Sequence, residues 1–152
     1  MNANTPMPGP VATLGWLRAE HAALQTAMRA VANAGEEDRR DRVDRLVSTL
    51  VVHIALIEEI VVPTLQSNPE HREDDQSRLH LTILETISAV RNSKYTLPGD
   101  LVDLLLRKSA DLLAYEIVTL FSNLATSRVD LEAVGRLLAR RQQELVAAGL
   151  AR

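Results

Sequence analysis

The stretch VVHIALIEEIVVPTL, Val51 to Leu65, decides how this chain folds. It is a nearly apolar run that carries one histidine, two adjacent glutamates and a proline close to its end. Val51–Val52 and Val61–Val62 are β-branched, yet they lie inside a longer segment. There Val43, Leu46, Leu50, His53, Ile57 and Ile60 recur at three and four, the period of a helix with one inner stripe. The run is therefore expected to be a core helix from about Asp38 to Val62, closed by Pro63. The position one turn after His53, where a second polar group would face the same way, is Ile57. Glu58 lies about 140° round an ideal α-helix from His53, against about 40° for Ile57. Glu58 and Glu59 are accordingly expected on a solvated helix face.

The same period extends to both sides. Leu14, Leu17, His21, Leu24, Met28 and Val31 form the stripe of a helix over Val11 to Asn33, with Gly35 as its C-terminal signal. Downstream, His80, Ile83, Leu84, Ile87 and Val90 mark a third helix over Glu73 to Arg91. Leu105, Leu112, Glu116 and Leu120 mark a fourth over Asp100 to Thr126. A fifth, more polar helix is expected after Asp130, a natural N-cap. Strand signals and solenoid-length repeats are absent. The pattern predicts an all-α chain: residues 1–10, with three prolines, as a flexible tail, 11–128 as an antiparallel up-down four-helix bundle, and 129–152 as a C-terminal helix packed on it.

Composition narrows the function classes. A chain of 152 residues is about one domain long, and its net charge of −3 with no basic cluster argues against nucleic acid as a partner. DRRDRVDR, residues 38–45, alternates in sign and reads as a solvated helix face. Without cysteine there are no disulfides, thiolate metal sites or cysteine nucleophiles. MNANTPMPGP does not have the form of a secretory signal, and the apolar run Leu46 to Val62 is shorter than the roughly 20 residues of a membrane span. A cytoplasmic protein without a membrane partner is expected.

Polar groups recur at one level of the inner stripes. His21, His53, His80 and Glu116 each sit near the middle of a different helix, so a bundle would bring all four to one point on its axis. Neutral imidazoles with a carboxylate suit a first-row metal such as iron, zinc or manganese. Without metal, the same groups require one another as partners, as in a His⁺–Glu pair. His71, in the loop NPEHRED, is expected to be exposed and outside the site.

Four segments carry a resemblance to a known family. LRAEHAAL holds His21, HIALIEEIVVPTL holds His53 ten residues before Pro63, SRLHLTILETI holds His80, and LLAYEIVTLFSNL holds Glu116 before a Leu-Phe pair. In order and spacing the chain resembles the hemerythrin-like, HHE cation-binding family over most of its length. That resemblance implies a four-helix bundle with a non-haem iron centre acting on or sensing dioxygen, peroxide or nitric oxide. It also exposes two departures. Ile57 stands where the family has its helix-two glutamate, and Leu112 where it has its helix-four histidine. With one carboxylate left, one iron per chain or none is expected, with His21, His53, His80 and Glu116 as the metal ligands.

Two other functions compete with this one. Ile57 and Leu112 are good core fillers, which favours a metal-free bundle serving as a binding or interaction protein. A vacated site lined by Tyr115 and Thr119 could instead hold a small organic ligand. Finally, the second helix is apolar nearly all round from Leu46 to Ile57, and the fourth contains LLL. One inner stripe cannot hide that much surface, so the second face must meet the fifth helix or another chain, and a homodimer is expected.

Overall fold

The computed structural model describes residues 10–66 and 74–149. These residues are helical with short connections, and no strand occurs among them. Helix α1 covers Pro10–Ala32, and α2 covers Glu36–Leu65. Helix α3 covers Asp74–Asn92, α4 residues 99–126 and α5 Leu131–Ala147. The chain is thus a helical bundle in which α1 packs along α2, α3 along α4, and α5 against both α1 and α2. His71 lies outside the described residues.

Two helices are not uniform. In α2 the α-helical Glu36–Leu56 passes into a π turn over Ile57–Val61 before a last α-helical turn, Val62–Leu65. In α4, Gly99–Tyr115 passes into a π turn over Glu116–Leu120 and then Phe121–Thr126. The first π turn explains why Pro63 does not end its helix at Val62 as expected. Val62 N–H bonds five residues back, to Ile57 O, and Pro63 then opens the following turn, where a missing N–H costs little.

The expected boundaries otherwise hold to within a few residues, with two corrections of role. Gly35 is not a left-handed terminator of α1. Its extended backbone, φ −70° and ψ 169°, makes it the N-cap of α2, while Asn33 and Ala34 close α1 with bonds to Arg29 O and Val31 O. Leu84, read as inward, is exposed on α3. Asp130 does cap α5, its carboxylate accepting from Ala133 N at 3.1 Å. Arg40 of α2 reaches the far end of α3 and donates to the Ser93 carbonyl and to the Val90 carbonyl, which also accepts from Ser93 N–H at 3.1 Å.

By length and composition α2 could cross a membrane, but over half of its most apolar window is buried against the other helices. It is the central core element here. The core itself falls into two apolar clusters. One gathers Leu24, Val31, Val43, Leu46, Leu50, Ile54, Ile83, Ile87, Leu105 and Leu112. The other gathers Leu17, Leu56, Ile57, Val61, Leu65, Leu120, Leu124, Val134 and Leu138. Between Leu17 and Leu24 stands His21, between Leu50 and Leu56 stands His53, and between Leu112 and Leu120 stands Glu116. All three are buried. A polar layer divides the oil.

Helix α5 joins the second cluster through Val134, Leu138 and Leu145, and Gly135 lies against Thr13 of α1. A Cβ there would overlap Thr13 Oγ1, whose hydroxyl donates to Leu131 O at 3.0 Å. Gly135→Ala should therefore destabilise the fold by about 1–3 kcal/mol, the usual cost of overpacking. Thr13→Ala removes the overlapping atom, so the double variant should recover part of that loss. Urea midpoints for the two single variants and the double variant check this. Additive losses would show that the close approach is not what requires glycine.

Candidate metal centre

The site is built from one carboxylate outward. Glu116 has no solvent exposure, and it opens the π turn of α4. A buried carboxylate is costly unless every lone pair is used. Its Oε2 accepts from His21 Nε2 at 2.7 Å and from His53 Nε2 at 2.8 Å. Its Oε1 accepts a longer bond from Gln76 Nε2, 3.4 Å, and faces His80 Nε2 at 3.8 Å, an ionic contact rather than a hydrogen bond. Burial alone would raise the Glu116 carboxyl. The charge of His53 and the hydrogen bonds from His21 and His53 outweigh it and hold the group far below the ordinary carboxylate range.

The histidines are fixed by their helices and by each other. The His21 and His53 rings meet edge to face at 5.3 Å, and Phe121, from the turn after Glu116, lies 4.7 Å from the His21 ring. The possible ligand atoms of His21, His53 and Glu116 lie within 4.8 Å of one another, and all three residues are buried. Donors this close to one another could turn toward a single small cation. Three buried side-chain atoms at this layer have no hydrogen-bond partner: His21 Nδ1, Gln76 Oε1 and His80 Nε2. Buried polar atoms without a partner are exceptions in folded proteins, and these three can still accept a proton donor or meet a cation.

His80 belongs to the layer by a different route. Its Nδ1 donates to Glu58 Oε1 at 2.5 Å, while Nε2 faces Glu116. Burial would lower its pKa, but the carboxylates of Glu116 and Glu58 win, and it is raised above the ordinary 6.5.

Of the four residues expected at the site, His21, His53 and Glu116 converge directly and His80 approaches the second carboxylate oxygen. Two others were missed. Gln76, fully buried, stands four residues before His80 on the same face of α3, a spacing visible in the sequence. Glu58, expected on a solvated face, instead turns toward α3. Its side chain is half-buried and bonded to His80. The expectation assumed an ideal α-helix. A turn closed by an i→i+5 bond holds more residues, so each advances by less than about 100°, and the π turn begins at Ile57. Ile57 and Leu112 themselves are fully buried and fill the core on either side of the layer. Tyr115 and Thr119, candidates for lining a small-molecule pocket, are each half-buried.

Compared with known protein families, curated proteins and solved structures, the chain matches none.

The two shifted groups have opposite pH signatures in the metal-free protein. Glu116, held below its ordinary 4.5, adds stability that is present above pH 4.5 and is lost as the pH falls through its lower folded value. His80, held above 6.5, adds stability that is complete below pH 6.5 and is lost as the pH rises through its folded value. The stability difference between the natural chain and Glu116→Gln, measured by urea unfolding with chelator present, should therefore be largest between pH 4.5 and 6.5. There it should reach roughly 3–5 kcal/mol, the cost of breaking a buried charged pair. A difference that does not vary with pH would separate the carboxylate from the titration of its partners.

Proposed function

We propose that the chain is a hemerythrin-like metal-binding protein, an antiparallel four-helix bundle holding one iron ion, that acts on or senses dioxygen, peroxide or nitric oxide. The observation that carries this reading is the convergence of His21, His53 and Glu116 at full burial, with ligand atoms within 4.8 Å. His80 Nε2 lies open beside them.

The donor set fits a first-row ion. Two imidazoles and one carboxylate, with a third imidazole at hand, would hold ferrous iron and leave positions for a small ligand, where iron supplies the chemistry of binding or reducing an oxidant. One ion is also the count the charge supports, since Glu116 is the only carboxylate in the buried layer among the described residues. Every other task belongs to the chain. Glu116 stays ionised because two histidines donate to it. Phe121 and the apolar clusters on each side keep water off the layer and hold the His21 ring in place. The two π turns, one opening at Glu116 and the other a turn beyond His53, widen α4 and α2 at the layer and let Glu58 leave the regular stripe.

A second reading, a metal-free bundle serving as an interaction protein, has one observation in its favour. Ile57 and Leu112 occupy with hydrocarbon the positions from which two further ligands would come, and both are fully buried. Leu81 and Leu84 on α3 and Ile117 and Val118 on α4 are exposed, which suits association with a second copy.

Metal content separates the readings. Protein purified from iron-supplemented cells, or reconstituted anaerobically with ferrous iron, should carry about one ion per chain, and Glu116→Gln and His53→Ala should carry none. Binding should raise the unfolding free energy by about 2.7 kcal/mol at a hundredfold excess of free metal over Kd. Absence of any first-row metal from the folded chain would leave the interaction reading. Sedimentation is expected to show a dimer at micromolar concentration, and a monomer alone would remove that part.

A further inference from the structure

The three histidines of the layer are not equivalent, and the difference lies in which nitrogen carries the proton. A carboxylate only accepts, so each nitrogen that bonds one must be the protonated one. His21 and His53 both spend Nε2 on Glu116 Oε2, at 2.7 and 2.8 Å. To ligate through that nitrogen, each must first move its proton elsewhere. His80 is arranged the other way round. Its Nδ1 donates to Glu58 Oε1 at 2.5 Å, so the neutral ring carries its lone pair on Nε2. That atom is buried, has no hydrogen-bond partner and looks toward Glu116 Oε1.

We propose that Glu58 is a positioning residue for the metal centre, holding His80 in the tautomer and ring orientation that present Nε2 to the ion. The proposal rests on the reading of this layer as a metal site. Carboxylates that accept the second ring N–H of a ligating histidine fix its tautomer and raise its basicity. Glu58 has the further quality of standing at the edge of the layer, with its side chain 36% exposed, while His80 is almost wholly buried. It orients the ligand without adding a second buried charge beside Glu116. The π turn over Ile57–Val61 acquires a purpose on this view. It lets a residue of α2 that would otherwise face outward reach α3.

Cobalt(II) is a suitable probe, because its visible absorption reports the ligand set as its titration reports affinity. The natural chain, Glu58→Ala, Glu58→Gln, His80→Ala and the double variant Glu58→Ala with His80→Ala would be titrated side by side, with circular dichroism confirming each fold. Glu58→Ala should bind cobalt about 10- to 100-fold more weakly and shift its absorption bands toward those of His80→Ala. Glu58→Gln keeps an oxygen that accepts from Nδ1, so it should recover much of the affinity and the natural spectrum. The double variant should bind no more weakly than His80→Ala alone, because Glu58 acts through His80. Affinity unchanged in Glu58→Ala would overturn the proposal, as would a double variant weakened by both factors, which would mark Glu58 as an independent ligand or a surface charge. Failure of the natural chain to bind cobalt or iron would be a different result. It would remove the metal site itself, and the role of Glu58 with it.

Discussion

A single carboxylate with no access to water governs this molecule. Glu116 can remain ionised inside the bundle only because α1 and α2 each deliver an imidazole N–H to the same oxygen. The amide of Gln76 and the ring of His80 close its other side from α3. Four helices are thus tied to one group. The arrangement is demanding rather than simply stabilising. Desolvating an ion costs several kcal/mol before any attraction is counted, and leucine at position 116 could serve packing as well or better.

How much of this could be read from the sequence depends on where the helices are regular. The inner stripes of α1 and α2 up to His53 obey the 3.6-residue period, and there the assignment of His21, His53, Leu24, Leu46 and Leu50 to the interior holds residue by residue. Glu116 was legible for the same reason, since Leu105, Leu112 and Glu116 keep that period up to the residue that opens the π turn. Glu58 was not. It lies within a turn that no propensity rule foretells, because a π turn arises where tertiary contacts reward a wider loop, and Pro63 beyond it reads from sequence as a simple stop. Gln76 escaped notice for a different reason. A glutamine before a histidine in DDQSRLH looks like a first-turn surface residue, and only the packing of α3 on α4 shows it fully buried.

The C-terminal helix is more than cover for the second cluster. Arg141 of α5 grips the Glu59 carboxylate at 2.6 Å, and Gln142 bonds Glu20 at 2.9 Å. These partners are the sequence neighbours of Glu58 and His21. Exposed pairs of this kind contribute little to stability singly. Their placement is what counts, because they pin α5 beside the π turn of α2 and beside the turn of α1 that bears His21.

The division of the core into two apolar clusters has a geometric corollary. Leucine, isoleucine and valine fill both halves, and such side chains exchange places with modest loss. An all-hydrocarbon seam would therefore let one helix slide along its neighbours by a turn, about 5.4 Å, and find nearly equivalent contacts. The layer of His21, His53, His80 and Glu116 forbids it. Any such slip sets the carboxylate against leucine and strands two imidazoles in oil. The polar plate serves as a vernier mark, fixing the longitudinal alignment of helices whose greasy surfaces alone would leave it undetermined.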